Sequence, residues 1–367
     1  MLFRSKRPGW AVPWTLVTAG SWRVGVVGYI TAATKRIVLA QHVAGLGFPG
    51  GRVAIADALA GVKAAGADLT VIVAHEGAFC DSLACNGDIV ELARALDPTE
   101  VQLIVAGHTH TLINTTVRGI PIVAARANGT ALGVADLVAI PDGSPQWRVR
   151  VEDVFADRVR PDSAAEALVA RYAPQVEAQS RKVVAILRDP LLTVGTEYPL
   201  GNLIADAQRA AAKADFALMN NGGIRRDLLA GPVTYGDLFE LQPFGNVVVR
   251  VTVTGSELKQ ILEHSMARGR PRVHVSGMTV RYDLRRPSGD RVIEIQAGNG
   301  QRIALERGYT LAVTNFLAGG GDGLPILPSR RPEPSGKSDL EAVIDWLARL
   351  PQPIRAPRDR RLVPVGP

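Results

Sequence analysis

Apolar positions along this chain recur in two rhythms. Leu69 to Ala74 (LTVIVA) and Leu103 to Ala106 are near-continuous apolar runs bounded by polar or glycine residues, the pattern of strands buried on both faces of a parallel sheet. Val24 to Gly28 (VGVVG) reads the same way. Between these runs the period lengthens. Ile55, Leu59 and Val62 share one face of a helix predicted over Val53 to Ala65, with Gly66 at its stop. Ile89, Leu92, Ala93 and Leu96 mark a second amphipathic helix, ended by Pro98. Strand, helix, strand at this spacing predicts right-handed βαβ units. Ile120 to Ala124 and Ala131 to Ile140 read as further strands. Trp147, Val149 and Val151 then alternate with Arg148, Arg150 and Glu152, as on a half-exposed strand.

The second half changes character. Pro161 to Lys182 is helical in pattern and rich in charge, with a kink or break expected at Pro174, and reads as a connector. Leu203, Ala207 and Ala210 predict a helix, followed by a short buried strand from Phe216 to Met219 and a turn at Asn220 to Gly223. Val247 to Val253 is a strand with Arg250 and Thr252 on its wetter face, and Ser256 is the expected N-cap of a helix carrying Leu258, Ile261 and Leu262. Strands are predicted at Gly277–Tyr282, Arg291–Ile295 and Tyr309–Thr314, a loop at Pro325–Lys337 and a helix at Leu340–Leu350. The basic, proline-containing remainder is expected to be partly disordered. The expected division is therefore residues 1–152, a connector at 153–182, a second domain at 183–328 and a terminal segment at 329–367.

Composition supports two ordinary globular domains: 367 residues, 47% hydrophobic and 21% charged. The net charge of +7 suits an anionic ligand, although the arginines are scattered and several crowd the tail (Arg355, Arg358, Arg360 and Arg361). With 5% aromatic residues and no recognisable motif, a nucleic-acid partner is not expected. No apolar run reaches the ~18 residues of a membrane span. Pro8 to Ser21 is not the clean apolar core of a signal peptide.

The candidate chemistry sits just beyond two predicted strands. His75 follows Leu69–Ala74, and His108 and His110 follow Leu103–Ala106 and Gly107. Functional groups of parallel sheets gather beyond the carboxyl ends of the strands, so the three imidazoles are expected to converge on one edge. Imidazole serves zinc, iron and nickel, and mixed sites holding manganese. His42, His264 and His274 fit no such pattern and are expected to be structural or on the surface.

Ala74-His75-Glu76-Gly77 and Ala106-Gly107-His108-Thr109-His110-Thr111 resemble the two-metal phosphoesterase domain of the 5′-nucleotidase family. The resemblance continues through Asn220-Asn221-Gly222-Gly223-Ile224-Arg225, Gln242-Pro243-Phe244-Gly245-Asn246 and Gly319-Gly320-Gly321-Asp322-Gly323. It implies an α/β fold, with an incomplete N-terminal metallophosphoesterase α/β sandwich followed by an α+β C-terminal nucleotide-binding domain. It also implies two divalent ions such as zinc or manganese, with His75 and His108 on one and His110 on the other. Phe244 and Phe316 would stack on a nucleobase, Asp322 would accept from ribose hydroxyls, Asn246 would touch base or ribose, and Arg225 would hold phosphate. The implied ligand is a nucleotide or nucleoside, and the implied location is periplasmic or extracellular. Cys80 and Cys85, five apart, are compatible with a small disulfide in such a compartment, with free thiols, or with outer groups near a metal.

Two departures qualify the resemblance. The family's Asp-x-His, Gly-Asp and Asn-His motifs are missing, and the opening MLFRSKRPGW resembles a point inside the metal domain. The expectation is an N-terminally truncated member with about half of the binuclear site and little hydrolysis of its own. In addition, Thr193 to Leu200 holds none of the arginines that family members often place before the Gly201-Asn202 helix. A non-catalytic nucleotide- or nucleoside-binding protein is the alternative.

Overall fold

The computed structural model describes residues 2–3, 11–138, 146–267 and 269–365. The opening decapeptide's remaining positions and Ile140 lie outside the described residues. The chain divides into two compact units, residues 1–37 with 41–162, and residues 38–40 with 163–367.

The first unit is built on a six-stranded mixed sheet. Its strands are β1 (Trp14–Ala19), β2 (Trp22–Ile30), β3 (Leu69–His75), β4 (Leu103–Val105), β5 (Leu112–Val117) and β6 (Ile120–Ala125), in the order β1-β2-β3-β4-β6-β5. The central pairs β2–β3, β3–β4 and β4–β6 are parallel, and hairpins close both edges. Helices α1 (Ala56–Ala64) and α2 (Asp88–Arg94) are the crossovers. Their predicted faces are buried, with Ile55, Leu59, Val62, Ile89, Leu92, Ala93 and Leu96 in one core with Val27, Ile72, Ile104 and Ile122. The ribbon β7 (Ala131–Val138) and β8 (Gln146–Asp153) follows, and β8 keeps the predicted alternation, with Trp147, Val149 and Val151 half-buried between exposed neighbours. The hairpin strands β1 and β5 were not apparent from the pattern, because Thr15, Thr18, Thr115 and Thr116 break the apolar alternation.

The second unit begins with α3 (Ser163–Ser180), an unbroken helix without a buried residue. Pro174 lies inside it, so the expected break does not end the helix. Helix α4 (Pro199–Ala212) starts with proline in its first turn, where the missing N–H costs nothing. A five-stranded sheet holds β9 (Phe216–Asn220), β10 (Val247–Thr254), β11 (Val273–Ser276), β14 (Gly308–Thr314) and β15 (Glu333–Ser338), in the order β11-β9-β14-β10-β15. A second sheet of β12 (Met278–Tyr282), β13 (Val292–Ala297) and β16 (Leu362–Pro364) flanks it, with β12 in the middle.

Three expectations are corrected here. The cap of α5 (Gly255–Ser265) is Thr254, whose hydroxyl accepts from Glu257 N while the Glu257 carboxylate accepts from Thr254 N; Ser256 is already inside the helix. β10 runs one residue further than read, so the cap moves with it. The stretch Pro325–Lys337 contains most of edge strand β15, which pairs with β10 and leads into α6 (Asp339–Arg349), capped by Ser338. The described part of the tail is ordered. β16 adds to β12 in parallel, and the Arg361 guanidinium makes two 2.8 Å bonds to the Asp206 carboxylate. The Glu197 carboxylate receives the backbone N–H of Arg361 and of Leu362. Charge and proline suggested solvation, but a half-buried carboxylate partner holds the arginine in place.

Candidate functional site

The first candidate edge follows from sheet register. β3 ends in His75, and the parallel pairing of Val71 with Leu103 and Val73 with Val105 brings the chain beyond β4 to the same edge. The backbone continues the alignment, with Gly107 N donating to Glu76 O at 3.0 Å and Ala106 N to Val123 O at 2.7 Å. The His75 and His108 rings therefore meet, with centroids 4.9 Å apart and planes tilted by 53°. His75 is exposed and His108 half-buried. His110 is exposed in the same loop, but among the described residues no three His, Cys, Asp or Glu side chains gather closely enough to hold a metal ion. The sequence placed three imidazoles on one edge; the structure brings two of them into contact.

Around this pair, Glu76 is buried, with Oε1 accepting from Gly77 N at 3.0 Å and Oε2 unbonded among the described residues. Burial, with the nearby Glu76 and Asp88 carboxylates, pushes the Tyr29 phenol above its ordinary value, so it stays protonated while its oxygen accepts from Gly51 N. Cys80 and Cys85 form a disulfide that closes the loop after His75, and Asp81 Oδ1 accepts from the N–H groups of Leu83 and Ala84 within it.

The second candidate edge lies in the other unit. β9 and β14 are parallel, with Phe216 opposite Leu311, so Asn220 and Thr314 leave the sheet on one side. β10 is antiparallel to β14, with Val248 opposite Thr314, so the loop before β10 sits there too. That loop carries Phe244 and Asn246. Val247 N donates to Asn315 Oδ1 at 3.0 Å, tying it to the start of the turn that carries Phe316.

The predicted residues there play unequal parts. Phe244 is 55% exposed, and the exposed Arg225 lies over its ring, 5.7 Å from guanidinium carbon to centroid. Phe316 is half-buried against the core and lies on the backbone of Gly321, where a Cβ would be 2.5 Å from the ring. Asp322 adopts a left-handed conformation at φ 55°, and its Oδ2 accepts from Asn220 Nδ2 at 2.7 Å. Asn246 has a structural tie: its Nδ2 donates to Asp339 Oδ2 at 3.1 Å and its carbonyl accepts from Asp339 N. Burial raises the Asp339 carboxyl above its usual range. Arg226 is half-buried and paired with Glu240 and Asp237, while its neighbour Arg225 is exposed. Asn220 was predicted only as part of a turn; its place at the carboxyl end of a buried parallel strand was the available signal.

His274 is fully buried against Tyr198, ring centroids 4.1 Å apart, and neither ring nitrogen has a hydrogen-bond partner among the described residues. Burial, assisted by the Arg361 charge, lowers its pKa to about 4. It lies within the core of the second unit, as a structural residue.

Residues 184–329 match the family described as 5'-nucleotidase, C-terminal domain. The chain is 31% identical to Endonuclease YhcR of Bacillus subtilis (strain 168) over 347 residues, covering 92% of this chain and 28% of that protein. It is 25% identical to the snake venom 5'-nucleotidase of Naja atra over 412 residues, covering 98% and 75% of the two chains. The crystal structure of a 5'-nucleotidase precursor from Thermus thermophilus superposes with a TM-score of 0.85 at 27% identity, covering 97% of this chain and 75% of that one. The chain spans less than half the length of the first curated relatives it matches, 28% and 46%.

Proposed function

We propose that this chain, which belongs to the 5′-nucleotidase family and carries its C-terminal domain, binds a nucleoside or nucleotide through its second unit and serves the hydrolysis of nucleotide phosphate esters. The observation that carries the reading is the Phe244 ring, exposed beneath Arg225 at the sheet edge where Asn220 holds Asp322. A nucleobase on Phe244 and Phe316 would bury its faces, with offset stacking adding ~0.5–1.5 kcal/mol per aromatic pair beyond burial. Asp322 would accept from ribose hydroxyls, Arg225 would meet a phosphate, and Asn246 contributes by holding the loop and offering its remaining amide oxygen.

Family membership implies two divalent ions. The described residues do not fit such a centre: His75 and His108 are adjacent, but no third donor joins them. Two dications a few ångströms apart need anionic ligands between them to offset their repulsion. We therefore propose that this polypeptide by itself releases little phosphate. An assay with AMP and added manganese or zinc tests this; turnover comparable with an active 5′-nucleotidase, abolished by His108→Ala, would refute it. The same observation favours a second reading, in which the chain binds nucleosides or nucleotides without catalysis. Calorimetry with adenosine and AMP tests the part common to both, and absence of binding would remove the stacking assignment. The disulfide and the venom relative support a setting outside the reducing cytoplasm.

A further inference from the structure

The loop Gly107-His108-Thr109-His110-Thr111 contains two threonines to which nothing above gives a role. Their hydroxyls reach one acceptor. The Thr111 hydroxyl donates to Ala78 O at 2.6 Å, and the Thr109 hydroxyl lies 3.1 Å from that oxygen and 2.8 Å from the Thr111 hydroxyl. Ala78 belongs to the loop that follows His75, so the two hydroxyls join the segments beyond the two histidine strands. The approach is close: a Cβ on Gly77 would lie 2.2 Å from Thr109 Oγ1 and 2.3 Å from Gly107 O, so only glycine leaves room for the contact.

The joined loop is also strained. Thr109 N donates to Gly107 O at 2.7 Å, closing a three-residue γ-turn around His108, whose φ is 67°. γ-Turns of that hand are rare and strained. His110, on the other side of Thr109, has φ 57°. Left-handed conformations at residues other than glycine persist where the surroundings over-determine them. Here Thr109 sits between the two strained histidines, and its hydroxyl and that of Thr111 are fastened to the neighbouring loop.

We propose that Thr109 and Thr111 are positioning residues, whose hydroxyls hold His108 at the apex of its turn and against His75. The assignment rests on reading this edge as the working edge of the family's first domain. The hydroxyls supply orientation, and the imidazoles are the groups presented at the edge.

The test uses the full chain with Thr109→Val and Thr111→Val together, which keeps side-chain shape and removes both hydroxyls. Thr109→Ser and Thr111→Ser together keep the hydroxyls and remove the methyls. The readout is the nuclear Overhauser cross-peak between the His75 and His108 ring protons in isotope-labelled protein. The expected result is loss of the cross-peak in the valine pair and its retention in the serine pair. A cross-peak that survives in the valine pair overturns the proposal, and so does loss in the serine pair, which would assign the effect to methyl packing. If the valine pair does not fold, Thr111→Val alone is expected to weaken the cross-peak, and an unchanged one overturns the proposal. Failure of nucleoside binding or of phosphate release counts against the functional reading and leaves the ring contact as it is.

Discussion

Asn220 and Asp322 meet across 102 positions of sequence, the amide nitrogen donating to the carboxylate at 2.7 Å. The bond fixes the orientation of an acid held in a left-handed turn, with Asn220 itself buried at the end of its strand. An aligned carboxylate accepts hydroxyl hydrogen bonds without first losing freedom. Asn220→Leu is expected to weaken adenosine binding by roughly 10- to 150-fold, the ~1.5–3 kcal/mol range of a hydrogen bond to a charged group. Calorimetry on the variant checks this; unchanged affinity would detach Asp322 from the ligand.

Phe244→Ala and Arg225→Leu separate base from phosphate. Phe244 is half-exposed, so its removal should leave thermal stability nearly unchanged while adenosine and AMP both weaken by roughly tenfold, about 1.4 kcal/mol. Arg225→Leu should weaken AMP more than adenosine. Equal losses for the two ligands would mean that Arg225 serves the ring and not the phosphate.

Gly321→Ala adds a methyl 2.5 Å from the Phe316 ring, so the ring has to move. Overpacking of this kind costs ~1–3 kcal/mol. The expected outcome is a lower melting temperature together with weaker adenosine binding. Loss of stability with intact binding would place Phe316 in the core alone.

Chelation is expected to leave adenosine affinity unchanged, because the second unit's candidate groups are aromatic, amide, carboxylate and guanidinium groups on one sheet edge. Titration with adenosine before and after prolonged treatment with a chelator checks this. A clear drop in affinity would show that a metal takes part in nucleoside binding.

Acid should destabilise the second unit through His274. Its folded pKa is lowered from 6.5 to about 4, so between those values the unfolded chain binds the extra proton. The contribution to stability is full above pH 6.5, falls as pH decreases through the window, and is lost below 4, a total of about 3 kcal/mol at 1.36 kcal/mol per pH unit. Urea titrations across this range should show a slope that His274→Phe removes. An identical slope in the variant would assign the acid lability to other groups.

Much of the fold was legible because burial repeats with the backbone. The strands before His75 and His108 are apolar runs, as for a sheet covered on both faces, but the paired Val73 and Val105 are exposed on one face, which corrects that expectation. The faces of α1 and α2 were visible at helical spacing. Other elements were hidden for specific reasons. Edge strands such as β1, β5 and β15 are half-solvated and carry threonine, serine, proline or charge. Thr254 and Ser256 are both competent caps, and only the end of β10 decides between them. Arg361 looked like one more solvated charge until its carboxylate partner, 155 positions away, was in view.

The linear order of residues by itself determined the βαβ core, the motifs at the strand ends and the chemical types offered there, since these depend on neighbours along the chain and on periodic burial. Only the three-dimensional arrangement decided that His75 touches His108, that Asn220 orients Asp322, that Asn246 holds Asp339 and that His274 is enclosed. Each of those contacts joins separate segments, and its geometry is fixed by how strands pair and layers pack, which no local pattern of residues encodes.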